Sequence, residues 1–328
     1  MGRFSRWASL LVIAGLVGPT APVADAAPAT ARVKKKRRKR MKRRRGLRPE
    51  AEPQPHGPRD GLAFVDAHVH LNDVDMARSV MGELGVRKAI VFWGRDSSNA
   101  SIREAANADP GTFVPFYSVS PERDAYRESW DAGDTTLLGR VDTALGSGQF
   151  VGIGELSVTH FAGHGFPEAE YGPLHPLSVG LFELAKKHGV PVTIHCEVTA
   201  IESLVTLLRR FESVPVLWAH GGYTPYAVAK RMLAEHPNLT YELSARTWRH
   251  HPRSPEYTIY RDQDAVWPQW LQLIEDNPER FVVGTDAALH SIDNARAKIG
   301  GVQRLLEQLT PATRARVASG NIERLLTP

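Results

Sequence analysis

Cysteine is nearly absent. The 328 residues hold one, Cys196, which excludes an intramolecular disulfide and any zinc site built on two or four thiolates. A metal ion held by this chain must be ligated by His, Asp and Glu. Long apolar runs are missing as well. The longest, Trp7 to Gly18, is about a dozen residues, too short for a bilayer core that takes roughly 20. Acids are missing from one region only. The first 48 residues hold 15 Lys and Arg against Asp25 alone, a net charge of +14, whereas the remaining 280 hold 26 bases and 35 acids, a net of −9. The overall charge of +5 is therefore a property of the leader, and nucleic acid is not an expected partner of the acidic remainder.

What is present begins with a recognisable leader. Arg3 and Arg6 precede the short apolar stretch, and small residues end it at Ala24-Asp25-Ala26. These are the three parts of a secretory signal peptide, assigned to residues 1–26, and they predict an exported chain, periplasmic or secreted. Lys34 to Arg48 contains twelve basic residues and, with Pro49, Pro53, Pro55 and Pro58, forms a basic, disordered linker over 27–61. This tail is a candidate for contact with an anionic membrane or cell-wall surface, and equally reads as a solvated spacer.

From Leu62 onward, short apolar runs alternate with amphipathic segments. Strands are expected at 62–67, 88–93, 113–119, 150–156, 190–196, 215–219, 239–244 and 280–285, most of them continuously apolar as parallel strands covered on both faces are. Between them, residues 177–188 end in Lys186-Lys187-His188 before Gly189, a helix C-terminus. Thr199 and Glu202 have the spacing of a capping box. Eight strands with intervening helices in this length predict an α/β fold, a (β/α)8 TIM barrel over 62–328. The doubly wound alternative usually carries a glycine-rich turn after its first strand, and none is present.

Active-site side chains of such a barrel lie at the C-terminal strand ends. Here those ends carry His68 and His70, Glu155, His195, His220 and Asp286. Each has an ordinary reading when taken singly: a buried core histidine, a partner for an arginine, a helix cap. Together they are four imidazoles and two carboxylates in otherwise apolar strands, and burying them is costly without a counter-charge. A divalent cation supplies it, and this donor set suits zinc, manganese or iron. His68 and His70, two apart on a strand, face one side and can share an ion.

These residues resemble the amidohydrolase superfamily, in its amidohydrolase-related, metal-dependent hydrolase branch. The resemblance rests on His68-x-His70, Glu155, Val192-Thr193-Ile194-His195, Ala219-His220-Gly221-Gly222, Val283-Gly284-Thr285-Asp286 and Gly320-Asn321-x-x-Arg324-Leu325-Leu326. It implies that His68, His70, His195 and Asp286 bind metal. His220 would bind a second ion or touch the substrate, and Glu155 would bridge two ions, bind one, or stand behind a ligand. Zinc, as one or two ions, is the expected cofactor.

The expected activity is hydrolysis of an amide, lactone or ester bond in a small molecule by a metal-activated water, with Asp286 moving the proton and His220 donating a hydrogen bond to the developing oxyanion. Arg246, Trp93 and Trp248, which follow strands, are candidate substrate contacts, the arginine for a carboxylate. Arg95 is a weaker one. His160, His164, His250 and His251 read as loop residues, and Cys196 as buried and inert. Two other functions stay open: a metal-dependent decarboxylase on the same barrel, and a non-catalytic surface-binding protein using the basic tail. Oligomeric state is open too.

Overall fold

A computed structural model of the chain describes residues 62–121, 124–161, 168–251 and 254–327. The expected signal peptide and basic linker lie outside the described residues, as does His164. Strands β1 (Phe64–Leu71), β2 (Val86–Trp93) and β3 (Phe113–Pro115) form one parallel sheet in that order. The second sheet contains β4 (Ile153–His160), β5 (Ala169–Glu170), β6 (Val192–Cys196), β7 (Val216–Trp218), β8 (Leu239–Glu242) and β9 (Phe281–Val282), in the order β5-β4-β6-β7-β8-β9. All of its pairs are parallel except β4–β5. The fold is thus α/β, with parallel sheets covered by helices.

The two sheets meet at both of their edges. Tyr117 bridges Ile153 in parallel, and Gly154 donates its backbone N–H to the Tyr117 carbonyl at 3.0 Å. On the other side Val69 bridges Ala287, with Ala67 N–H on Val283 O, Asp286 N–H on His68 O and His70 N–H on Ala287 O, each at 2.9 Å.

All eight expected strands exist, with two displaced. β1 continues through His68 and His70 to Leu71, and β4 begins at Ile153 and runs to His160. Pairing of β1 with β2 slips between Asp66 and Val69, where β1 carries an extra residue. Such a bulge reverses which side chains face inward. Val65 and Ala67 belong to the small inner core with Phe92, Phe116 and Ile322, and beyond the bulge the inward positions are His68 and His70. The helix Pro176–His188 ends as expected, Gly189 taking the left-handed conformation at φ 66°. The Thr199–Glu202 capping box does not form. Thr199 lies within a 3-10 turn, Val198–Ala200, and the helix Ile201–Arg210 starts beyond it without a side-chain cap. A residue with helical backbone cannot offer the extended conformation that an N-cap needs.

Candidate metal centre

The six ionisable side chains expected at the strand ends converge. His68 Nε2 lies 3.3 Å from His70 Nε2 and 3.3 Å from Glu155 Oε2. His70 Nε2 is 3.4 Å from Glu155 Oε2 and 3.3 Å from Asp286 Oδ1, and His68 Nε2 is 3.8 Å from Asp286 Oδ1. The second oxygen of Glu155 faces the other way, 3.0 Å from His195 Nδ1 and 3.5 Å from His220 Nε2. One carboxylate therefore stands between two groups of donors.

Each imidazole is also held from behind. His70 Nδ1 donates to the Trp93 carbonyl oxygen at 2.8 Å. His220 Nδ1 faces the Ser244 carbonyl at 3.1 Å and the Ser244 hydroxyl at 2.8 Å. His68 Nδ1 meets Glu242 Oε2 at 3.2 Å, and His195 Nε2 meets Glu197 Oε1 at 3.4 Å. With the proton of each ring on its outer nitrogen, all four inner nitrogens present a lone pair toward Glu155. An outer hydrogen bond that fixes the tautomer in this way is the usual support of metal-bound histidine.

Donor spacing gives an independent test of fit. Ligands about 2.0–2.1 Å from a tetrahedral zinc are about 3.3 Å from one another. The separations among His68, His70, Glu155 and Asp286 quoted above, four of them 3.3–3.4 Å and one 3.8 Å, match that figure. The charges fit as well. Glu155, Glu197 and Glu242 are all buried, and a buried carboxylate's charge has to be balanced locally; burial pushes the Asp66 carboxyl up to about 7. Burial alone would lower the His70 imidazole, yet hydrogen bonds to Asp286 and Glu155 push it up to about 9. His195 is likewise pushed against burial, by Glu155 and Glu197, to about 10. Burial alone would raise the Glu155 carboxyl, but the surrounding imidazoles hold it well below the usual range. The cluster is built to be neutralised by positive charge.

Backbone geometry at the rim is unusual. His220, Ala245 and Asp286, each just past a strand, have φ of 56°, 55° and 52°, a region non-glycine residues enter at a cost. After His220, Gly221 and Gly222 are also left-handed, and side chains there would collide. A Cβ on Gly221 would lie 1.8 Å from Tyr241 Cζ, and one on Gly222 2.3 Å from Cys196 O. Asp286 is held by its neighbours: the Lys298 ammonium donates to its carbonyl oxygen, and Trp248 Nε1 donates to Thr285 O at 2.9 Å. Asp66 accepts from Thr285 N at 2.9 Å and from Thr285 Oγ1 at 2.6 Å. Burial would raise the Asp286 carboxyl, but the His70 hydrogen bond and nearby positive charge, Lys298 included, keep it well below the usual carboxylate range.

The three candidate substrate contacts do not join the cluster through their side chains. Trp93 packs its ring on Tyr126 and contributes its carbonyl. Trp248 spends its indole N–H on Thr285 and takes Lys298 Nζ over its ring at 4.0 Å. Arg246 is buried over the Trp270 ring, 5.0 Å from its centroid. His220 Nδ1 is engaged by Ser244, and its Nε2 points inward to Glu155. His160 is no loop residue. It ends β4, buried, its ring centroid 4.8 Å from that of His195. His251 is buried and stacks on Trp248. Cys196 is buried as expected, its thiol pushed up to about 12 by burial.

Glu197, Ser244, Lys298, Glu242 and Asp66 bond to the cluster or its backbone, and the sequence reading gave none of them a role. Glu242 and Ser244 share the two-residue spacing of His68 and His70, and that spacing is the signal that could have found them.

The family model for Amidohydrolase matches residues 51–327. Among solved structures, the chain is similar to an uncharacterised TIM-barrel protein from Bordetella bronchiseptica (15% identity, 81% of this chain and 98% of that one, TM-score 0.54). It is similar to a probable 2-pyrone-4,6-dicarboxylic acid hydrolase from Acinetobacter baumannii (11% identity, 80% and 98%, TM-score 0.54). A third is a dihydroxybenzoic acid decarboxylase from a Polaromonas species, with bound manganese (12% identity, 80% and 96%, TM-score 0.50). At such identities the likeness speaks for the fold, and no curated protein matches in sequence. With the family match extending over most of its length, the chain belongs to the Amidohydrolase family.

Proposed function

We propose that the protein is a metal-dependent hydrolase of a small molecule, cleaving an amide, lactone or ester bond with water. The observation that carries this reading is Glu155, whose two oxygens are divided between the His68–His70 and His195–His220 pairs. A carboxylate so placed suits two cations held side by side, and zinc fits the nitrogen-rich donor set and its spacing. His68, His70 and Asp286 would hold one ion and His195 and His220 the other, with Glu155 shared. When bound, the ions supply the charge that lowers the pKa of a water and polarises a carbonyl.

The chain's own residues do the rest. Asp286, with a fifth of its side chain exposed, is the one carboxylate of the cluster open to the rim. It accepts the proton of the attacking water and returns it to the leaving group. Lys298, Trp248 and Asp66 hold the Thr285–Asp286 backbone from three sides, so the carboxylate keeps its place during this transfer. The residues past the strand ends shield the buried imidazoles from bulk water. In the same reading the two sheets close into the eight-stranded barrel expected from sequence, supported by the backbone bonds at both edges. The leader would direct export, with the basic segment as its tail.

A panel of amides, lactones, esters and phenolic acids, offered to the metal-stripped and the zinc-replete full chain, tests the proposal. Hydrolysis restored by zinc and abolished in Asp286→Asn, with far-UV dichroism unchanged, is the expected result. Release of carbon dioxide from a phenolic acid would assign the decarboxylase reading instead.

A further inference from the structure

Outside the candidate metal centre, Arg246 is a buried charge without a hydrogen-bond acceptor. Arg246 is 1% exposed, and its Nε and Nη1 are buried without a hydrogen-bond acceptor. A guanidinium carries five N–H donors. Stacking on the Trp270 ring offsets part of the charge but accepts none of those N–H groups. A cation left in this state is costly, because buried charges are otherwise paired.

The surroundings add further donors. Tyr241 packs on the same indole, ring centroids 5.7 Å apart, and its buried hydroxyl faces that of Thr224. Trp270 lies in the first turn of the helix Pro268–Asp276. Tyr226, edge-on to Trp270 at 5.9 Å, opens the helix Tyr226–Glu235. Neither helix has a side-chain N-cap, so two positive helix ends meet at this indole. An anion satisfies every group at once.

The segment that follows Arg246 is buried as well. Thr258 Oγ1 and Ile259 N both donate to the Arg246 carbonyl oxygen, at 3.0 and 2.9 Å. Ile259, Tyr260 and Val266, from the same segment, are buried. We propose that Arg246 and the Tyr241 hydroxyl bind a small monovalent inorganic anion, chloride or its equivalent, beside Trp270. The anion neutralises the guanidinium. It also steadies Tyr241, whose ring fills the place a side chain would take at Gly221, directly after His220.

The test compares thermal unfolding of the metal-replete full chain in sodium bromide and in sodium gluconate at equal ionic strength. Non-specific ion effects disfavour the folded state in bromide, so a midpoint higher there, by about 5 °C, is the expected result. The difference should vanish in Arg246→Met, where no charge needs an anion. Should that variant fail to fold, crystals of the unaltered chain soaked in bromide decide: an anomalous peak within hydrogen-bond distance of Arg246 and Tyr241 supports the site. Equal midpoints, water alone at that position, or an organic carboxylate reaching Arg246 from the metal centre would each overturn it.

Discussion

Replacing Glu242 by glutamine changes one atom and leaves the shape, yet the structure makes it a severe test of how the imidazoles are aimed. Glu242 is fully buried. Its Oε1 accepts the Ser244 backbone N–H at 2.6 Å; its Oε2 accepts the His220 N–H at 3.3 Å, the Ser244 hydroxyl, and His68 Nδ1 at 3.2 Å. Both oxygens face donors only, so an amide NH2 meets an N–H in either orientation. The escape is for His68 to move its proton from Nδ1 to Nε2, which turns an inward lone pair into an inward N–H. Loss of such an outer partner costs about 10–100-fold in metal affinity. The charge-assisted hydrogen bonds lost are worth about 1.5–3 kcal/mol each. Glu242→Gln should therefore bind zinc about 10–100-fold more weakly in competition with a chromophoric chelator, and the metal-free protein should unfold at lower denaturant. Unchanged zinc affinity in a folded Glu242→Gln protein would falsify the claim that Glu242 sets the His68 tautomer.

Two further outcomes follow from the same geometry. In the metal-free chain His70 and His195 are raised to about 9 and about 10, so their pairing stabilises the fold fully below pH 6.5 and is lost as pH climbs through those values. At pH 7 both, and His68, which is raised as well, carry protons that zinc must displace; loading should release about three protons, and apparent affinity should fall about 1,000-fold for each unit of acidification. Calorimetry in buffers of different ionisation enthalpy measures this, and loading without proton release contradicts it. In the helix Ile292–Gln308, Gly301 lies against backbone, and an added Cβ would come within 2.1 Å of Thr247 O. Gly301→Ala should lower stability by about 2 kcal/mol in spite of alanine's better helix propensity, by denaturant titration; a neutral or stabilising effect would mean the loop carrying Trp248 yields freely.

The sequence carried the converging positions because inner strands announce themselves as apolar runs, against which His68, Glu155, His195, His220 and Asp286 stand out. It located strand ends less well. The bulge in β1 and the late start of β4 depend on pairing with neighbours, which no local pattern records. Residues that act from behind were harder still. Glu242 and Ser244 were visible at a strand end but nothing local says that they face His68 and His220. Lys298 lies on a helix following the last strand, where a lysine reads as an ordinary surface charge. Arg246 shows the opposite error. A position after a strand suggests the rim, but the left-handed turn at Ala245 carries the chain on to a guanidinium packed against Trp270.

His68, on the first strand of the described fold, and Asp286, just past the last, are joined by a backbone hydrogen bond. Synthesis therefore yields five of the six converging side chains well before the sixth. A nascent chain that has reached Phe281 can pair most of its strands while its imidazoles still lack the partner at the closing edge. The cluster is completed only when the final strand arrives, which ties competence for ligation to the delivery of a finished polypeptide. A permuted chain, opened elsewhere and joined between these two strands, would separate the order of manufacture from the order of assembly.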